Sequence, residues 1–381
     1  MNGPGEMRSG RGIPASIAGE ARRVIDEGCA VCAVPAPTFA ERPRAELVMR
    51  LLRDAGAEPR LDSAGNVVAG FGAGIADEAV VLAAHLDTVF DAGIEIAPRV
   101  NGGRLAAPGI GDNSIAVAAL VHLARRLRGA PLRRPVTLAA TVGEEGLGDL
   151  LGARALLAGE PCGAFVAVEG MMLESIAVAA VGSIRLRIAV RGPGGHPWSD
   201  RGVPSAVHGL LDPLREALAR AQRAGVTANA GVLSGGTAIN VIAAEATVEL
   251  DLRTEDDLLL TEVASRVIAA FAETQPGLET EVTMLGHRPG GRIASGHELL
   301  SAARAARADA GLPPAAEIAS STDANAAHGR GIPAITVGIT TGANAHRLDE
   351  YIDLEPVAAG LAALDSLIDR LAAAPGPGVA G

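Results

Sequence analysis

The stretch "AVVLAAHLDTVF", Ala79 to Phe90, decides the fold. Apolar residues run unbroken from Ala79 to Ala84, and then His85 and Asp87 break in. A strand with one face in water alternates apolar and polar side chains. An unbroken apolar run that turns polar only at its end is a strand covered on both faces. Such a strand lies in the centre of a parallel sheet and delivers the residues at its carboxyl end to a crevice.

Reading outward, "NVVAGFG" (66–72) is a second strand-like run, and Ala15 to Gly56 is helical, broken at "VPAPTFAERPR". Downstream, "SIAVAALVHLARRLR" (114–128) has the period of an amphipathic helix. Strand "PVTLAATVG", helix "DLLGARALLAG" and strand "GAFVAVEG" follow. Strands alternating with helices predict an α/β fold, a mostly parallel sheet with helices on both faces.

The pattern changes near Ala180. "VGSIRLRIAVRG", "TANAGVLSGG" and "EATVELDLRT" alternate apolar and polar residues, as half-exposed antiparallel strands do. They are interleaved with the helices "SAVHGLLDPLREALARAQRAG" and "DLLLTEVASRVIAAFAETQ". After Gly286 the α/β style returns with "GHELLSAARAARADAG", "IPAITVGI" and "EPVAAGLAALDSLIDRLAAA". The expected organisation is an α/β domain, 1–181 and 287–381, interrupted by an inserted α+β domain, 182–286. The ends, "MNGPGEMRSG" and "APGPGVAG", read as disordered tails.

Composition narrows the function. The chain has 381 residues, 48% hydrophobic but only 2% aromatic, so its core is built from Ala, Val, Leu and Ile. A net charge of −11 argues against nucleic-acid or membrane-surface binding. All basic residues are Arg, which rules out a Schiff-base lysine and a GK[ST] phosphate loop. Cys29 and Cys32 form a lone CxxC in a helical stretch and read as buried structural thiols; with Cys162 the odd count suits a reducing compartment. The N-terminal segment lacks a signal-peptide pattern and no apolar run reaches membrane-span length, so the expectation is a cytoplasmic protein.

Each α/β strand ends in His, Asp or Glu. His85 and Asp87 share one side of an extended strand, where a carboxylate can orient a metal-bound imidazole. Asp112 lies in the Gly-rich "APGIGDNS"; Glu144 and Glu145 follow a core strand; Glu169 ends "VAVEG"; His346 lies in "TTGANAHRLDEY". Any one of these motifs is weak alone. Together they place imidazoles and several carboxylates at one sheet edge, which calls for a cation to offset the charge. Oxygen and imidazole donors without thiolate suit Zn²⁺, with Mn²⁺ or Co²⁺ as substitutes.

"HLDTV", "GIGDNS", "GEEGLGD", "VAVEG" and "AHRLDEYID", in this order, resemble the M20 family of dinuclear zinc peptidases and amidohydrolases, nearest its peptidase T-like branch. The resemblance runs from "PAPTFAE" to "HRLDEYI". It implies that one zinc takes His85 and Glu169, the other Glu145 and His346, and that Asp112 bridges them. It further implies that Asp87 orients His85, that Glu144 is the general base, and that a cis peptide joins Asp112 to Asn113. The inserted domain becomes a lid and dimerisation domain. His196 in "RGPGGHPWSDRG" would reach the neighbouring subunit's site in a homodimer and stabilise the oxyanion, while Asn240 and Arg253 would contact the substrate. For Arg253 a solvated strand residue is the equal alternative.

The sequence departs from the family at Pro197, Ala116 and Arg347, the last adding a positive charge at the mouth. Asp323 and Asn325 read as turn residues, with lining of the site as the alternative, and His122, His208, His287, His297 and His328 as packing, surface or loop histidines. The expected activity is hydrolysis of an amide bond of a small peptide, aminopeptidase- or tripeptidase-like. The alternatives are an N-acyl-amino-acid amidohydrolase or a carboxypeptidase, and, more remotely, a non-catalytic binding protein. A serine hydrolase lacks its GxSxG.

Overall fold

In the computed structural model, which describes residues 13–17, 19–75, 78–272 and 276–373, Val80 to His85 is a strand buried along its whole length. Val80, Leu82 and Ala84 pack into one apolar cluster, and Val81 and Ala83 into another on the opposite face. The unbroken apolar run thus reflects two covered faces. The segments read as tails lie outside the described residues.

The chain forms α1 (Gly19–Cys32), α2 (Arg42–Asp54), β1 (Arg60–Leu61), β2 (Val67–Phe71), β3 (Val80–His85), β4 (Arg99–Asn101) and β5 (Arg104–Ala106). Next come α3 (Ile115–Leu127), β6 (Val136–Thr141), α4 (Leu151–Gly159), β7 (Ala164–Glu169) and β8 (Ser175–Ala180). They are followed by β9 (Gly182–Arg191), α5 (Ala206–Arg223), β10 (Thr227–Gly235), β11 (Glu245–Thr254), α6 (Asp257–Ala272) and β12 (Glu279–Arg288). The remainder forms α7 (Glu298–Asp309), α8 (Ala324–His328), β13 (Ala334–Gly338), β14 (Gly342–Ala343), β15 (Tyr351–Asp353) and α9 (Val357–Ala372).

Two compact units result, 1–179 with 292–381, and 180–291. In the first, the main sheet runs β1-β2-β6-β3-β7-β13-β8, and the short strands Gly291–Arg292 and Ala316–Ser320 also pair with β8. Its centre, β6-β3-β7-β13, is parallel; β1, β2 and β8 pair antiparallel toward the edges. Helices α1, α2, α3, α7 and α9 contribute to the larger apolar cluster, α4 and α8 to the smaller. Helix α3, read as amphipathic, is buried on every side from Ile115 to Ala124, because it packs between the sheet and α1. Short strands β14-β15-β5-β4 make a separate sheet.

The second unit is an antiparallel sheet, β10-β11-β9-β12. Alternate residues Ile184, Leu186, Ile188 and Val190 of β9, with Val248, Leu250 and Leu252 of β11, pack on Leu210 and Leu214 of α5 and Val263, Val267 and Phe271 of α6. Its apolar cluster lies wholly within residues 184–278. Strand β12 contains His287, which is therefore a strand residue and not the loop residue expected from sequence.

Candidate active site

Strands β3, β6 and β7 end side by side, so the loops after them meet at one edge of the sheet. His85, the last residue of β3, is buried. Its Nε2 lies 2.9 Å from Asp112 Oδ1 and 3.8 Å from Glu169 Oε2, at the end of β7. On the other side of Asp112, Oδ2 lies 3.1 Å from His346 Nε2, which is also 3.0 Å from Glu145 Oε1. Asp112 therefore faces two imidazoles with its two oxygens. Three sets of potential ligand atoms lie within 4.8 Å of one another: His85, Asp112 and Glu169; Asp112, Glu145 and His346; and His85, Glu144 and Glu145.

The peptide between Asp112 and Asn113 is cis. The Asn113 side chain donates to the Val168 carbonyl (2.8 Å) and accepts from Gly170 N–H (2.9 Å), fastening this loop to the end of β7. The approach is so close that a Cβ on Gly170 would overlap the Gly111 carbonyl oxygen. His346 is held at φ +64°, a left-handed conformation uncommon for a side chain other than glycine.

Asp87 was expected to orient His85. Its carboxylate is 3.6 Å from Nδ1, whereas its backbone carbonyl is 3.0 Å away, so the carbonyl is the nearer partner. The carboxylate mainly serves the "GEEG" loop. It accepts from Glu144 N–H (3.0 Å), Glu145 N–H (2.9 Å) and the Thr38 hydroxyl (2.9 Å). Gly143 N–H reaches Glu41 (3.0 Å) and Val142 N–H reaches Asn66 (2.9 Å). Successive amides from Val142 to Glu145 are thus all held by side chains from elsewhere. Buried Arg44 braces the start of this region, donating to Leu86 O (2.7 Å) and Val34 O (2.8 Å).

The electrostatics are those of crowded acids. Burial pushes the Glu169 carboxyl well above its usual range; His85 opposes this, while Asp112, Glu144 and Asp323 reinforce it. Burial pulls His85 down, but Asp112, Asp87 and Glu169 outweigh it and raise the imidazole well above its ordinary value. Hydrogen bonds to Asp112 and Glu145 lift His346 to about 10. Buried carboxylates of this density are costly without a counter-charge. The donor set, imidazole and carboxylate in two groups sharing Asp112, fits a pair of divalent cations.

Sequence reasoning missed Glu350, Glu41, Thr38 and Arg44. Glu350 stands in the "AHRLDEYID" motif, but nothing in the sequence placed it against residues 109–112. Asp323, read as a turn residue, is buried and accepts from the Thr141 hydroxyl (2.5 Å) at the end of β6. Asn325 does hold a turn, accepting from Thr322 N–H (2.9 Å). Arg347 is paired with Asp349 (2.8 Å), so its charge is offset locally. Burial pushes the thiols of Cys29, Cys32 and Cys162 up to about 12, unsuited to nucleophilic work.

His196, Asn240 and Arg253 belong to the second unit. His196 Nδ1 accepts from the backbone N–H groups of Trp198 (3.2 Å) and Ser199 (3.3 Å), and the His196 backbone N–H donates to Asp200 (2.7 Å). Asn240 is exposed in the turn after β10. The Arg253 fork is engaged by Asp251 at 2.8 and 2.9 Å.

A family model described as peptidase family M20/M25/M40 matches residues 81–370, and the chain belongs to that family of hydrolases. Solved structures agree on the fold. Aminopeptidase PepT from Bacillus cereus ATCC 10987 is 22% identical with a TM-score of 0.76, over 93% of this chain and 100% of that one. A tripeptidase from Staphylococcus aureus subsp. aureus Mu50 is 20% identical with a TM-score of 0.75, over 93% and 99%. An amidase of the hydantoinase/carbamoylase family from Burkholderia multivorans is 18% identical with a TM-score of 0.61, over 93% and 98%. No helix among the described residues is long and apolar enough to cross a membrane.

Proposed function

We propose that this chain hydrolyses an amide bond of a small peptide, in an aminopeptidase- or tripeptidase-like reaction supported by two zinc ions, with Co²⁺ or Mn²⁺ as substitutes. His85 and Glu169 would hold one ion, Glu145 and His346 the other, with Asp112 shared. The observation that carries this reading is that Asp112 faces both imidazoles while Glu144, its amide held by Asp87, offers a carboxylate oxygen near His85 and Glu145. When bound, such a pair supplies Lewis acidity toward a carbonyl and acidifies water.

The remaining work falls to the chain's own side chains. Glu144 takes the proton of the attacking water and hands it to the departing nitrogen. His196 donates to the carbonyl oxygen as it gains charge. Its Nδ1 accepts backbone N–H groups, which leaves the Nε2 side of the ring to donate. Asp87 positions both glutamates and His85. Residues 180–291 would act as the lid and dimerisation domain, with His196 serving the partner's site in a homodimer. Asn240 would contact the substrate; Arg253, with Nε and Nη2 engaged by Asp251, would do so through Nη1. The setting proposed is cytoplasmic.

The peptidase-named relatives support a peptide substrate, and the hydantoinase/carbamoylase-type relative keeps an N-acyl-amino-acid amidohydrolase or carboxypeptidase as the second reading. Turnover of dipeptides, tripeptides and N-acyl amino acids by zinc- and cobalt-loaded protein separates them. Glu144→Ala should keep its metal and lose turnover by about 10²–10⁴-fold, the usual worth of a general base. Wild-type turnover in that variant would sink the assignment.

A further inference from the structure

Glu350 has no role in the reaction as described, yet it is fully buried against the loop that carries Asp112. Its Oε1 accepts from Gly111 N–H (2.7 Å) and Asp112 N–H (2.9 Å), and its Oε2 from Gly109 N–H (3.0 Å). The main chain joins in, because Ala107 N–H donates to the Glu350 carbonyl (3.0 Å). Next to it, Tyr351 of β15 pairs with Ala106 of β5. A carboxylate is the acceptor-only side chain able to take donors on both oxygens at once, and no neutral side chain does this equally well.

The same segment carries His346, four residues earlier in sequence. His346 and Asp112 are therefore linked twice: directly through Nε2 and Oδ2, and through Glu350 and the backbone of 109–112. His85 needs no such help, being buried at the end of a central strand. His346 lies on an exposed segment in a left-handed conformation. Of the two ligand sets that share Asp112, the one containing His346 thus depends on an outside tie.

Resting on the reading of Asp112 as a shared metal ligand, we propose that Glu350 is a positioning residue. It fixes the 109–112 backbone relative to His346 and so sets the geometry of the Asp112–Glu145–His346 cation site. Asp87 does the same for Glu144 and Glu145, also by accepting backbone N–H groups.

The test is zinc titration of the metal-free full chain by calorimetry, with bound metal counted and the unfolding temperature recorded, for wild type, Glu350→Ala and Glu350→Gln. The expected result is one zinc site weakened about 10–100-fold in Glu350→Ala, as for other residues that orient metal ligands. The other site should stay near wild type, and turnover should return with excess zinc. Glu350→Gln keeps an oxygen for Gly111 and Asp112 but turns an NH₂ toward Gly109 N–H, so its loss should be intermediate; it also serves if the alanine variant fails to fold. A purely structural residue would lower the unfolding temperature without separating the two sites. That outcome, or two unaltered sites in both variants, overturns the proposal while leaving the proposed function standing. A wild-type chain that takes up no zinc would overturn the proposed function, and this inference with it.

Discussion

At the scale of single residues, the adjacent carboxylates Glu144 and Glu145 look like a repulsion problem. The structure holds both of their amides with a third carboxylate, Asp87, and keeps a carboxylate oxygen of each within 4.8 Å of the other and of His85, close enough to share a cation. Glu145 turns to His346, and Glu144 stays near His85 and Glu145. Replacing Asp87 by Ala would orphan two buried N–H groups, each costing about 1–3 kcal/mol. Asp87→Asn keeps one acceptor oxygen but sets an NH₂ against one of those amides. Both variants are expected to unfold at lower temperature than wild type and to lose turnover, Ala more than Asn. Thermal unfolding and steady-state assays on the same preparations check this; full turnover in Asp87→Ala would remove the clamp from the mechanism.

At the scale of elements, His122 of α3 ties three helices together. Its Nε2 lies 3.0 Å from Asp365 of α9, and its Nδ1 lies 3.5 Å from Glu20 of α1. Arg126, on α3 itself, also faces Asp365 (3.4 Å). Burial pulls the imidazole down, but the hydrogen bond to Asp365 and the charges of Asp365 and Glu20 outweigh it and raise its pKa. A raised folded-state pKa gives stability that is fully present below the unfolded value, about 6.5, and is lost as pH rises through the folded value. The unfolding-temperature gap between wild type and His122→Gln should therefore be wide at about pH 5.5 and narrow in alkali. A gap that widens with pH would refute the linkage. Elements of this length were legible in the sequence. The long helices carry their period, and β3, β6 and β7 carry unbroken apolar runs because helices cover both faces. Strands β4, β5, β14 and β15 were not legible, since pieces of two or three residues have no period and exist only through their partners. His85, Glu145 and Glu169 could be named because they stand at or just past the ends of β3, β6 and β7, whereas Asp112 and His346 lie in loops and were named by their motifs. Glu350, Glu41 and Arg44 could not, because their contacts are with backbone groups far away in sequence, which no motif announces.

At the scale of the whole molecule, two apolar cores matter. The candidate ligand residues His85, Asp112, Glu145, Glu169 and His346 all lie in the unit built from 1–179 and 292–381. The core of 180–291 uses none of that unit's side chains. Residues 180–291 are therefore expected to unfold cooperatively when expressed alone. Metal should act unequally on the two units, since a ligand that binds only the native state stabilises it by about 2.7 kcal/mol at a concentration a hundred times its Kd. Scanning calorimetry of the full chain, with zinc and after chelation, should show the unfolding of the first unit moving upward with metal. The isolated 180–291 segment should unfold at one temperature in both conditions. A zinc-dependent shift in that segment would place a cation where no ligand cluster lies among the described residues, and an unmoved full chain would place none at Asp112.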